Sequence, residues 1–291
     1  MSFNDDSDIR GARVSKRGRN TAIGLGGGGL GVIAILLISQ LLGFDLTRII
    51  DPSTISGGTS EGDEVSLEHC QTGADANEDI DCRMVGAAAS LDTYWSNQVD
   101  GYVQPSMVLF EGSTNTACGA ATSAVGPFYC PADSTIYLDT AFFATLRSEF
   151  GASAGELAQM YVVAHEWGHH IQNLIGQMDG LNLQQTGPSS DGVRLELQAD
   201  CFAGSWVGSA STTADASGDV FLDPISDSQL ADALDAAAAV GDDNIQEATT
   251  GQVQPETWTH GASEQRQSWF TVGMNSGPRQ CDTFGLAASD L

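Results

Sequence analysis

Lysine is nearly absent from this chain. Lys16 is the only one in 291 residues, and lysine and arginine together number 11 against 38 acidic residues, for a formal net charge of −27. A surface of that sign repels phosphate backbones, which argues against nucleic acid as a partner. It favours solubility and says little about fold. Histidine is scarce too, at five residues: His69, His165, His169, His170 and His260. No two cysteines form a Cys-x-x-Cys pair, which argues against a zinc site built from thiolates. No internal repeat is visible, and nothing points to a solenoid or propeller.

What is present is unevenly placed. Residues 1–44 hold Arg10, Arg13, Lys16, Arg17 and Arg19 against Asp5, Asp6 and Asp8, so the remainder carries −29. The stretch 22–44, "AIGLGGGGLGVIAILLISQLLGF", has no charge over 23 positions. As a helix it would span about 34 Å at ~1.5 Å per residue, enough to cross a bilayer. The basic cluster before it predicts a cytoplasmic N-terminus. A cleaved signal peptide fits less well, because the stretch is long and no small-x-small site follows. Gly24 and Gly28 have the small-xxx-small spacing that would allow a homodimer through the anchor. The expected organisation is a basic cytoplasmic segment at 1–20, a transmembrane anchor at 21–44, a flexible stalk at 45–68 and a folded extracytoplasmic domain at 69–291.

All six cysteines lie beyond the anchor and read as disulfides. Cys70–Cys82 and Cys118–Cys130 share one spacing and would close local loops, which leaves Cys201 with Cys281; buried free thiols are the rival reading. Hydrophobic spacing predicts helices over 85–99, from a cap at Asp139 or Thr140 to Phe150, and from a cap at Ser153 through the histidine-rich segment. Further helices are expected at about 193–207, from Asp227 to about Val240, and over 263–274. The alternation in Ser134–Asp139 predicts a strand. The expected class is α+β, mainly helical with a short sheet.

The segment "VVAHEWGHHI" (Val162–Ile171) sets three histidines and a glutamate in an apolar run. His165 and His169 lie four apart, about 40° on the helical wheel, so both imidazoles project from one face and reach one cation. Glu166 falls about 100° round, beside the metal, where a general base must be. His170 points toward the core and reads as structural or supporting. Gly168 weakens a helix by ~1 kcal/mol relative to alanine; the expected reason is close approach of another backbone, taken as a strand beneath which substrate lies. A third ligand is expected in "VRLELQADCFAG", where Glu196 and Asp200 are again four apart. Glu196 would complete the set while Asp200 accepts the outer N–H of a ligand histidine; the exchanged assignment, with Asp200 as the ligand, stays open. In "WTHGASEQRQSWF", His260 is the available donor to an oxyanion or else a structural histidine. Arg266 reads as the partner of a buried acid, with a substrate carboxylate as the alternative.

Four blocks carry a resemblance: "GPFYCPADSTIYLD" (Gly126–Asp139), "YVVAHEWGHHIQ" (Tyr161–Gln172), "RLELQADCFAG" (Arg194–Gly204) and "THGASEQR" (Thr259–Arg266). In this order, behind a glycine-rich anchor, they resemble the bacterial neutral zinc metallopeptidase family, whose members are membrane-anchored with an external domain. The resemblance implies a zincin-like fold, Zn2+ as cofactor, and His165, His169 and Glu196 as ligands. It covers the chain from about residue 22 onward and supplies no substrate. The expected activity is hydrolysis of peptide bonds in a peptide or protein substrate, more endopeptidase than exopeptidase. Water polarised by the metal would give its proton to Glu166, and the strand around Ile136–Leu138 would pair with an extended peptide. The rivals are a zinc-stabilised binding or scaffold domain without catalysis, and a metal-free envelope protein held by disulfides.

Overall fold

In the computed structural model the segment ahead of the apolar run is built into the domain. The structure describes residues 3–18 and 64–291. Phe3 and Ile9 are buried in the main core, and the Asn77 side chain clamps the backbone of Phe3 through its N–H and C=O. Strand β1 (Val14–Arg17) lies inside a five-stranded sheet with β2 (Glu64–Val65), β3 (Ser106–Leu109), β6 (Phe128–Cys130) and β7 (Thr135–Leu138), in the order β2-β1-β3-β7-β6. The β1–β3 and β3–β7 pairs are parallel, and the two edge pairs are antiparallel. Strands β4 (Ser113–Thr116) and β5 (Gly119–Thr122) form a separate hairpin.

This corrects two expectations. The segment 45–68, expected to be a stalk, contains β2, and residues 3–18 share a sheet with the domain expected to start at residue 69. A single crossing by residues 21–44 would leave 3–18 and 64–291 on opposite sides of a bilayer, where β1 and β3 cannot pair. An N-terminus held on the cytoplasmic side of such a crossing is therefore incompatible with the fold. The anchor itself, and the dimer contact expected through it, lie outside the described residues. Among the described residues no helix is long and apolar enough to cross a membrane.

The described residues also form eight α-helices, besides four single-turn 3-10 helices: α1 (Gly73–Glu78), α2 (Ile80–Ser96), α3 (Phe142–Phe150), α4 (Glu156–Leu174), α5 (Asp191–Ala210), α6 (Asp227–Ala239), α7 (Asp242–Thr250) and α8 (Ser263–Ser276). Local chemistry sets their starts. Asp79 accepts the N–H groups of Asp81 and Cys82 at the head of α2, five residues earlier than hydrophobic spacing alone places it. Ser190 and Ser226 cap α5 and α6. Ser153 does not cap α4 directly; its hydroxyl takes the N–H of Gly155, the residue in the cap position.

Small residues let three helices touch backbone to backbone. A Cβ on Gly168 of α4 would lie 2.9 Å from Cα and 3.0 Å from the carbonyl oxygen of Ala199 in α5. The close neighbour of Gly168 is thus a helix and not the strand expected from sequence. Gly204 of α5 and Gly273 of α8 are packed in the same manner, against the carbonyls of Phe270 and Cys201. Trp95, Trp167 and Trp206 fill the core around these crossings, each at 1% exposure or less. The three disulfides are Cys70–Cys82, Cys118–Cys130 and Cys201–Cys281, the pairing expected from spacing.

Candidate metal centre

The Gly168–Ala199 crossing brings the ligand-bearing turns of α4 and α5 face to face. The His165 and His169 rings stand 4.8 Å apart, centre to centre. His165 Nε2 is 3.2 Å from Glu196 Oε2, and His169 Nε2 is 3.5 Å from Glu196 Oε1. Two donors ~2.05 Å from one tetrahedral ion lie about 3.3 Å apart, so these separations are those of a site shaped for zinc. The set, two imidazoles and a carboxylate, has the donor chemistry that zinc takes. Glu166 is 8% exposed and, among the described residues, makes no side-chain hydrogen bond.

The outer nitrogens of the two rings are also engaged. His165 Nδ1 lies 2.8 Å from Asp200 Oδ1. Asp200, at 0% exposure, also receives the Tyr161 hydroxyl and two guanidinium hydrogen bonds from Arg266, at 2.7 and 3.0 Å. Burial works against charge on Asp200, but Arg266 and His165 outweigh it and hold its pKa below the usual range. Burial likewise opposes charge on Glu196, yet His169, His260 and His165 keep its pKa well below normal. For His165, burial is overcome by Asp200 and Glu196, and its pKa is pushed up to about 10. His169 Nδ1 faces the side-chain oxygen of Gln172 at 2.9 Å.

The geometry separates the two acids left open by the sequence: Glu196 faces the inner nitrogens, and Asp200 supports His165 from behind. His170 points into the core, between the Tyr129 hydroxyl at 3.0 Å and the Val103 carbonyl at 2.7 Å. Arg266 is 3% exposed and paired with Asp200, as the structural reading expected. The backbone of His260 belongs to a turn gathered by one buried carboxylate: Asp242 Oδ2 accepts the N–H groups of Thr259, His260 and Gly261. The other oxygen of Asp242 lies 3.5 Å from His260 Nδ1. Gly261 adopts φ +91°, a left-handed conformation suited to glycine. Burial disfavours charge on His260, but Glu196 and Asp242 raise its pKa.

Strand β7, expected to pair with substrate, is interior, flanked by β3 and β6. The edge on this side is β6, and Tyr129 in it meets His170 and Asn173 of α4. Four residues were missed by sequence reasoning: Tyr161, Gln172, Gln198 and Asp242. Tyr161 and Gln172 had a usable signal, standing four before His165 and three after His169 on the metal face of α4. Gln198 lies midway between Glu196 and Asp200 without sharing their face. Asp242 had no local signal, since it acts on a turn 17 residues away.

A family model described as "Putative neutral zinc metallopeptidase" matches residues 3–284. The match begins within the N-terminal segment that the structure folds into the domain. The chain is 49% identical over 251 residues to the uncharacterized protein Rv2575 of Mycobacterium tuberculosis and to the uncharacterized protein Mb2605 of Mycobacterium bovis, covering 86% of each chain compared. It is 39% identical over 271 residues to the uncharacterized protein YpfJ of Escherichia coli, covering 89% of this chain and 88% of that one. No solved structure matches it significantly. A family match running through nearly the whole chain, over facing helices that present two imidazoles and a carboxylate, places the protein in the putative neutral zinc metallopeptidase family, with Zn2+ as its cofactor.

Proposed function

We propose that the protein is an exported peptidase that cuts within peptide or protein chains, with zinc held by His165, His169 and Glu196 and with Glu166 as general base. The observation that carries this reading is Glu166 itself. It sits next to the ligand His165, nearly buried, with no hydrogen-bond partner among the described residues to occupy its carboxylate. A carboxylate kept only for structure is normally hydrogen-bonded or paired, whereas the Glu166 oxygens, which are not among the buried unpartnered atoms, keep the access to water that a base requires.

Zinc in such a site supplies Lewis acidity toward water and the scissile carbonyl. Glu166 accepts the proton of the attacking water and returns it to the leaving amine. His260, held by Asp242 at the site's rim, donates to the oxygen that becomes negative in the transition state. Strand β6 offers the sheet edge on which an extended peptide lies, and an open edge suits a chain that continues past the site at both ends. Three disulfides favour an oxidising compartment. Attachment to the membrane through residues 21–44 belongs to this reading only in a form that leaves 3–18 and 64–291 on the same outer side.

The test is metal analysis of the full chain together with digestion of a peptide library, with and without a zinc chelator. Residues 3–18 must be retained, because Phe3 and Ile9 are core. Cleavage that disappears with chelator and returns with zinc is expected. Stoichiometric zinc without any cleavage would favour the non-catalytic scaffold and overturn the peptidase reading.

A further inference from the structure

The two candidate ligand histidines are supported by different chemistry, and the support behind His169 has a direction. Gln172 is 0% exposed and Gln198 is 4% exposed. A side-chain amide has a donor end and an acceptor end, so its orientation follows from its partners. Gln198 Nε2 donates to the carbonyl of Cys281 at 2.8 Å. Its oxygen then faces Gln172, whose Nε2 donates to it at 3.2 Å and to the Leu195 carbonyl at 2.7 Å. Turning Gln198 over would set oxygen against the Cys281 carbonyl, and turning Gln172 over would set oxygen against the Leu195 carbonyl. Both flips are repulsive, so the Gln172 oxygen is the atom left for His169 Nδ1 at 2.9 Å. An amide oxygen only accepts. His169 must therefore carry a proton on Nδ1, which leaves Nε2, the nitrogen that faces Glu196, as the one available to a metal.

The far end of this chain is fixed covalently. Cys281 is bonded to Cys201 of α5, the helix that also carries Glu196 and Gln198. We infer that Gln172 and Gln198 form a directional amide relay, anchored on the disulfide-held carbonyl of Cys281, that positions His169 as an Nε2 metal ligand. They are positioning residues, and the inference rests on the zinc reading of the site. The division of labour suits a site already rich in acid. His165 takes a carboxylate neutralised by Arg266, whereas His169 takes a neutral amide that adds no charge beside Glu166 and Glu196.

The experiment measures zinc affinity of the full chain by competition with a chromophoric chelator. Gln198→Met touches none of the ligands, yet the relay predicts zinc binding weaker by about tenfold or more, and Gln172→Met weaker by about 10- to 100-fold. The double variant should be no weaker than Gln172→Met alone, because the two act in series. A second readout needs no variant: 15N NMR of the zinc-loaded wild type should show a His169 Nδ1–H protected from exchange. A folded Gln198→Met protein with wild-type affinity, or additive losses in the double variant, overturns the relay, as does an unprotonated His169 Nδ1 in the wild type. If Glu196→Gln abolishes zinc binding while Gln198→Met leaves it intact, the relay alone fails and the zinc site stands. If the wild type binds no zinc, both fall together.

Discussion

Replacing Asp200 with alanine should be the most damaging single change near the site, through the charge it leaves behind. Arg266 is 3% exposed and Asp200 0% exposed, so solvent screening gives little relief. The guanidinium makes two hydrogen bonds to the Asp200 carboxylate, one, at 3.1 Å, to the Val240 carbonyl and one, at 3.3 Å, to the Tyr161 hydroxyl. Removing one partner of a buried ion pair costs about 3–5 kcal/mol, a large share of a typical stability of ~5–15 kcal/mol. Removing both charges should cost far less. Asp200→Leu combined with Arg266→Met removes both charges of that pair; it leaves the Tyr161 hydroxyl and His165 Nδ1 short of a partner, as Asp200→Ala also does, and adds only the Val240 carbonyl, at about 1–3 kcal/mol. Zinc affinity should not follow stability, because in both variants His165 lacks the acceptor that orients it, and a loss of about 10- to 100-fold is expected in each. Urea denaturation in chelator reads the first quantity and chelator competition reads the second. A double variant no more stable than Asp200→Ala would refute the stranded-charge argument. Zinc affinity recovering along with stability would refute the role of Asp200 behind His165.

Gly168→Ala should separate α4 from α5 by a few tenths of an ångström. Overpacking of ~1–3 kcal/mol against a helix gain of ~1 kcal/mol predicts a net loss up to about 2 kcal/mol, with weaker zinc binding; a thermal melt showing stabilisation would contradict the crossing. Phe3→Ala should cost ~3–5 kcal/mol by denaturant titration, since Phe3 is 2% exposed; a change under ~1 kcal/mol would mean the N-terminal segment is not part of the core. Because the His165 pKa is raised to about 10, zinc must displace a proton below that pH, so affinity should rise roughly tenfold per pH unit toward it. The metal-free fold has the opposite sign. The charged ring adds stability that is complete below the unfolded pKa of ~6.5 and is lost as pH rises through about 10. Calorimetry in buffers of different ionisation enthalpy counts the displaced proton, and a count of zero at pH 7 would sink the argument.

The site was more legible than the fold around it. Spacing of four on a helix is a strong physical constraint, so the pairs His165/His169 and Glu196/Asp200 could each be set on one helix face from sequence, though not which acid faces the imidazoles, and the inward turn of His170 could be read as well. Local caps and hydrophobic spacing located most helices to within a few residues, except the start of α2 and the short α1 and α7. The sheet was largely hidden. Strands β1, β2 and β3 are two to four residues long, too short for an alternating pattern, and β1 pairs with a partner about 90 residues away. A basic cluster before an apolar run reads as topology, and nothing local in it says that Phe3 and Ile9 are core. The supporting polar groups divide the same way: Gln172 lies within one helical turn of its histidine, whereas Asp242 reaches its turn only through the tertiary fold.

The central claim is that Glu166 takes a proton at a zinc site built by His165, His169 and Glu196. Its most direct test is cleavage of a peptide library by the Glu166→Gln full chain, with zinc content measured on the same sample. One zinc per chain, as in the wild type, is expected, with cleavage reduced by at least about a hundredfold. Zinc at wild-type content with cleavage at the wild-type rate would contradict it.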